Sequence, residues 1–279
     1  MPIHDQSYRR YAGGKATPGW AWTVIAKAGI RQMLRKRAFL GILLLSSAAF
    51  IVRAVQLYIA ANVPQAAILA PTAETFREFL DNQNFFVFIV TIYVGAGLIA
   101  NDRRANALQI YLSKPLLRSE YIAGKAAILF TFLMLVTWVP AILLVLLQIM
   151  FFGTFEFVKA NLFLFPAITV ASLLQVFVAT FTILALSSLS KSSRYVAILY
   201  TGIIFFTLAI YGVMLGITGS TKMSYLSVSA NLTQVIDVIF RLKPRYATPW
   251  PVSLTVILGL IALSISVLER RVRGVEVVT

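Results

Sequence analysis

The chain contains no cysteine, a single histidine and only ten acidic residues among 279. Without cysteine there can be no disulfide, no thiolate nucleophile and no cysteine-ligated metal. The one imidazole, His4, lies in a polar N-terminal stretch, so a histidine-based catalytic or metal constellation has no second member. Charge of both signs is scarce, 13% of residues against about 25% in soluble domains. What is present instead is apolar: 59% of residues are hydrophobic and the mean hydropathy is +0.84. One water-soluble core of this size could not hide that much apolar surface, so most of it faces lipid or other membrane helices. These are the proportions of a polytopic membrane protein. The net charge of +15 could suggest nucleic acid, but in such a chain the first question is on which side of the bilayer the cations lie.

A span needs about 20 apolar residues to cross about 30 Å of hydrocarbon, and six stretches qualify: Phe39 to Ala61, Phe85 to Ala100, Ala126 to Met150, Leu162 to Ser187, Tyr195 to Ile217 and Trp250 to Leu268. The second is short, but Phe76, Phe79 and Leu80 before it are helix-spaced, so that helix is expected to begin outside the membrane near Thr72. Pro140 and Pro166 fall within the third and fourth spans and are expected to kink or locally loosen them. Pro251 sits in a first helical turn, where proline is tolerated.

Counting cations by compartment orients the spans. With the N-terminus in the cytoplasm, 18 of the 25 Lys and Arg residues fall inside, six outside, and Arg53 lies in the first span. The positive-inside rule therefore places both termini in the cytoplasm. The charge reads as a topological signal with affinity for anionic membrane lipids, and nucleic-acid binding is not needed to explain it. The 38 residues before the first span are too many for the n-region of a signal peptide. A seventh span over Met223 to Phe240 would reverse the C-terminus. However, Tyr225, Leu232, Val235, Ile236 and Ile239 form one helical stripe while Ser224, Ser227, Asn231, Asp237 and Arg241 interrupt the rest, which favours an external amphipathic helix on or dipping into the outer interface.

The expected fold is thus an all-α polytopic membrane protein of six transmembrane helices. Residues 1–38 form a cytoplasmic tail and interfacial helix, 39–268 the transmembrane domain with an external segment at 218–249, and 269–279 a basic cytoplasmic tail. Gly14-Lys15 and Gly124-Lys125 are each followed by alanine, so neither completes a P-loop, whose backbone amides cradle phosphate. Asn231-Leu232-Thr233 is a glycosylation sequon of a kind common by chance.

The most informative stretch is the loop from 101 to 125. It reads as a membrane helix emerging at Asn101, a short amphipathic helix from about Ala105 to Leu112, a break at Ser113-Lys114-Pro115 and a returning helix opened by Ser119-Glu120. Leu108, Tyr111 and Leu112 leave an apolar face for a cytoplasmic partner. With Gly97, Asp102, Arg103, Leu108, Leu112, Ser113, Pro115, Arg118, Gly124 and Lys125 in order, this run resembles the type-2 ABC-transporter permease family. It departs from that pattern at Asn106 and Ala107, where many members have a small residue or glycine before an acidic-leucine pair. The resemblance implies that the loop, through Asp102, Arg103, Leu108, Tyr111, Leu112, Pro115 and Arg118, couples to a separate ABC ATPase subunit present in two copies. This chain would bind no cofactor, ATP and Mg being held by that partner, and would pair with a second permease copy or a paralogue in the cytoplasmic (inner) membrane.

Between Trp20 and Arg37, Trp22, Ile25, Ala26, Gly29, Ile30 and Met33 gather on one helical face and Lys27, Arg31 and Arg35 on the other, the pattern of an interfacial helix. Such a helix can anchor to anionic lipid; similarity to the family's connecting helix implies a second ATPase contact. Inside the membrane Arg53 stands alone, either snorkelling to the outer interface or serving a helix contact or an anionic substrate. Thr169, Ser172, Gln175 and Thr182 mark one face of the fourth span, and Tyr200, Thr207 and Tyr211 one face of the fifth. Both stripes serve helix packing or line a path, so Arg53, Gln175, Thr182 and Thr207 are the candidate substrate-path residues. The function this implies is a permease subunit exporting a hydrophobic or amphipathic substrate. An ion-coupled carrier or channel would place more ionisable groups at midplane, and a non-transporting membrane anchor for a complex is the remaining alternative.

Overall fold

The computed structural model describes residues 20–63, 71–107, 117–153 and 156–272. In hydrocarbon every backbone N–H and C=O must be satisfied within the protein, and all regular structure among the described residues is helical. In chain order these elements are α1 (Ala21–Leu34), α2 (Arg37–Asn62), α3 (Ala73–Val90), a π-helical turn (Thr91–Gly95), α4 (Ala100–Arg104), α5 (Arg118–Val136), α6 (Trp138–Phe152) and α7 (Glu156–Ala160). There follow α8 (Leu164–Leu189), α9 (Ser193–Thr218), a 3-10 turn (Thr221–Leu226), α10 (Val228–Ile239) and α11 (Trp250–Arg271). Six helical stretches are long and apolar enough to cross a membrane: α2, α3 through α4, α5 through α6, α8, α9 and α11. The second does begin at Ala73, well before its apolar part.

The prolines act as their positions dictate. Pro140 has no N–H and its ring crowds the carbonyl four residues earlier, and the third span breaks at Thr137 (φ −104°, ψ −69°) into α5 and α6. Pro166 does not kink the fourth span. It is the third residue of α8, inside the first turn where no intrahelical N–H bond is lost, and α8 then runs unbroken to Leu189. Pro251 likewise sits in the first turn of α11. Gly153 and Gly219, at φ +63° and +60°, close α6 and α9 in the left-handed conformation that side chains with a Cβ resist.

The most enclosed helix is α8, which packs against α11, α5 and α3; α2, α9 and α11 leave most of their apolar surface uncovered. Two core clusters stack along the bundle. One, at the end that carries α1, includes Phe39, Ile99, Tyr121, Phe132 and Ile183, with Phe39 and Phe132 edge to face at 4.7 Å. The other, at the opposite end, includes Leu57, Phe79, Leu144, Ile168, Ile236 and Phe240. These are called below the basic end and the far end.

At the far end the expectation of an amphipathic helix lying on a surface needs correction. Helix α10 exists and is too short to span, but most of the polar residues of this segment are buried with its apolar stripe: Ser224, Ser227, Asn231 and Asp237 are sequestered with Leu232, Val235 and Ile236, while Tyr225 and Arg241 stay exposed. Each finds a partner inside. The Ser224 and Thr248 hydroxyls lie 2.7 Å apart, and Gln234 donates to the carbonyls of Tyr246 and Thr248 at 3.0 and 2.7 Å. Asn231 donates to the Tyr225 and Ser227 carbonyls at 2.8 Å. Its amide is fully enclosed, so the sequon offers no room for a glycan.

Candidate functional site

The second span is broken at its basic end, and the break is built by sequence on both sides. Gly95 faces α8 so closely that a Cβ there would stand 2.7 Å from Ile183 Cγ2. After the π turn the chain passes residues 96–99 before α4 resumes, and the amides of Ile99 and Ala100 lose their helical acceptors. Both donate instead to the Ser187 hydroxyl of α8, at 3.1 and 2.9 Å, and that hydroxyl donates to the Ala96 carbonyl at 2.9 Å. One buried hydroxyl thus uses its whole hydrogen-bonding capacity to bridge the gap.

Beyond the break, the motif residues converge. Asp102 accepts from Lys125 Nζ at 2.7 Å and from the Tyr121 hydroxyl at 2.7 Å, joining α4 to α5. The Arg103 guanidinium donates to the Ser188 carbonyl, joining α4 to the end of α8. Asn106 then adopts φ +51°. This is the left-handed region that asparagine enters at less cost than other side-chain-bearing residues, so the amide does here what glycine would do. On the return, Glu120 accepts from the Leu117 amide at 3.1 Å and caps α5, and Arg118 is exposed at its start. Leu108, Tyr111, Leu112 and Pro115 lie outside the described residues.

Gly124 has a separate purpose. A Cβ there would meet Ile25 Cβ at 2.8 Å and the Trp22 carbonyl at 3.0 Å, and one at Gly29 would meet Ile128 Cδ1 at 2.1 Å. Two glycines facing across the contact let α1 and α5 approach nearly backbone to backbone. The apolar face of α1, with Ile25, Ala26, Ile30 and Met33, therefore rests on protein, while Trp22 at its start stays exposed. Lys27, Arg31 and Arg35 remain exposed on the other side, along a shallow groove with Val24, Ala28 and Gln32.

Of the path residues, Gln175 reaches furthest into an opening. It donates to Asn84 across a cavity of about 260 Å³ bounded by α3, α8, α9 and α10, whose other walls include Phe88, Tyr200 and Leu232. Thr182 is buried in α8 outside that cavity, and Thr207 returns its hydroxyl to the Ile203 carbonyl at 2.8 Å. Thr169 serves packing, accepting from Trp138 Nε1 at 3.0 Å. Arg53 is engaged by Gln56 at 3.1 Å and by Glu78 on α3 at 2.6 Å: it makes a helix contact, with its charge already paired.

Several residues of consequence gave no sequence signal. Ser187 and Ser188 are hydroxyls in an apolar run, and Asn84 is one amide in the interior of α3. Arg77 was counted among outer cations, yet it is 3% exposed and pairs with Asp237, 1% exposed, at 2.6 Å. It also pairs with Asp81 at 2.9 Å, and Arg245 pairs with Asp81 at 2.8 Å. Burial pushes the Asp237 carboxyl above its usual range although Arg77 pulls it down. Among the described residues no three potential metal-ligating side chains cluster.

No curated protein matches the chain. A family model described as ABC-2 family transporter protein matches residues 23–271, a range that takes in most of α1, the broken second span, the Asp102–Lys125 pair and all six apolar stretches. The chain belongs to the ABC-2 transporter family and is a multi-pass membrane subunit of an ABC transporter.

Proposed function

We propose that this chain couples ATP hydrolysis by a separate ABC ATPase to export of a hydrophobic or amphipathic substrate. The observation that carries the reading is the joint around Asp102. The segment leading into residues 108–116 is tied to α5 through Lys125 and Tyr121 and to α8 through Arg103. A force applied to that loop by a partner is therefore delivered to two spans at once, beside a span already divided at Gly95. The basic end would face the cytoplasm with both termini, as the cation count favours, and α1 would offer Lys27, Arg31 and Arg35 as a second contact. ATP and Mg would belong to the ATPase, two copies of which would serve two permease copies, or one copy and a paralogue. The cavity beside Asn84 and Gln175 is mostly apolar with one amide pair, which suits an apolar or amphipathic molecule better than a small ion.

The test is purification in mild detergent with the co-encoded ATPase. The complex should hydrolyse ATP and the chain alone should not. Leu108→Asp with Tyr111→Asp should release the ATPase while membrane insertion is unchanged. Undiminished association of that variant, or transport by the chain alone on an ion gradient, would overturn the assignment.

A further inference from the structure

The basic end holds a second opening, of about 560 Å³, between α1, the broken stretch of the second span, the start of α5 and the first turn of α9. Three separate elements bring cations to its wall, Lys36, Lys125 and Arg194, against one carboxylate, Asp102. Asp102 is already held by Lys125 and Tyr121. Lys36 stands over the Tyr93 ring, 5.8 Å from its centroid, and neither Lys36 nor Arg194 enters an ion pair among the described residues. The first turn of α9 adds amide donors, since Ser193 and Arg194 line the cavity and Ser192 supplies no side-chain cap. Uncapped amides at the positive end of a long helix favour an anion. The rest of the wall includes apolar side chains, Ile92, Val94 and Ala197.

Cations and free amides sharing one cavity with apolar side chains match one kind of ligand, a phosphate carrying hydrocarbon. We propose that this cavity binds the headgroup of an anionic phospholipid, its phosphate against Lys36, Arg194 and the start of α9 and its chains leaving along Ile92 and Ala197. A zwitterionic headgroup is disfavoured because it brings its own cation into a site with excess positive charge. A free phosphate would leave the apolar wall wet. Because Lys125 lines the cavity and also holds Asp102, the occupant sits against the joint of the second span. The inference does not depend on the ATPase reading.

The purified chain in mild detergent is offered equal amounts of phosphatidylglycerol and phosphatidylcholine with identical acyl chains, and retained lipid is read by native mass spectrometry. Phosphatidylglycerol should be preferred about tenfold, the worth of one or two charge-assisted contacts. Lys36→Gln with Arg194→Gln should abolish the preference, and so should Arg194→Glu alone, a change at an exposed side chain that spares the fold. Lys27→Gln with Arg31→Gln, on the outer face of α1, should retain it. Three results would each overturn the proposal: no preference in the unaltered chain, equal loss in the Lys27 and Arg31 variant, or displacement of the lipid by millimolar inorganic phosphate.

Discussion

The pairing of Arg77 with Asp237 makes a prediction in which the two partners are not equivalent. Arg77→Met leaves Asp237 buried with only the Arg245 amide at 3.3 Å and Arg245 Nε at 3.6 Å, the latter on a side chain 42% exposed. Stranding a buried charge costs about 3–5 kcal/mol. Asp237→Asn leaves Arg77 its second carboxylate, Asp81, at 2.9 Å, and an amide oxygen that can still accept from Nε, so the loss is nearer about 1–2 kcal/mol. Arg77→Met with Asp237→Leu removes both charges and should recover most of the first loss. Thermal unfolding in detergent, followed by tryptophan fluorescence, should show a fall of about 10 °C for Arg77→Met and a few degrees for Asp237→Asn, taking about 2–4 °C per kcal/mol for chains near this size. The pH dependence has a definite sign. Asp237 in the folded chain titrates above its usual value of 3.8 because of burial; the stability it contributes is complete below 3.8 and is lost as pH rises through the raised value. Removing Arg77 takes away the pull that lowers it, so the deficit of Arg77→Met should narrow as the pH is lowered. Equal small losses in both single variants, or a deficit that widens on acidification, would refute the view that this pair seats α10 on α3.

Two further outcomes follow from the basic end. Ser187→Ala leaves the Ile99 and Ala100 amides buried without an acceptor, a loss of roughly 1–3 kcal/mol for each, read as a lower unfolding temperature and faster hydrogen exchange at those two amides; unchanged exchange would mean that the hydroxyl does not hold the break. Gly124→Leu forces a side chain into the Trp22 carbonyl and Ile25 and should lift α1 from α5, so that trypsin cuts at Lys27 and Arg31 faster while the six spans stay protected.

What the sequence made legible depended on how far apart the cooperating residues stand. The six spans were readable because hydrocarbon thickness imposes a length and a composition on each segment by itself, and the Pro140 break because a missing N–H acts within four residues. Pro166 was misjudged by where the apolar run began; the helix starts two residues later than that run and turns a would-be kink into a tolerated first-turn proline. Helix α10 shows the stronger limit. Its periodicity separates an apolar from a polar face, but periodicity does not say what the polar face meets, and Arg77 and Asp237 are 160 residues apart in sequence. The motif residues were visible as a pattern, whereas their reasons were not: Gly124 answers to α1, Lys125 to Asp102, and Asn106 to a backbone angle. Ser187 was invisible because a serine in an apolar helix usually bonds its own backbone.

The glycine-lined seat between α1 and α5 also bears on how the chain is made. Ribosomes emit residues in order, at about 5–20 per second, so α1 emerges two spans before the helix that will cover it. Until α5 is inserted, the face carrying Ile25, Ala26, Gly29 and Ile30 lacks the helix that will cover it. The same surface must therefore wait uncovered through two insertions and later accept a protein helix at close range. Small residues at the centre of that face satisfy both demands, because they expose little apolar area while uncovered and leave room for a backbone.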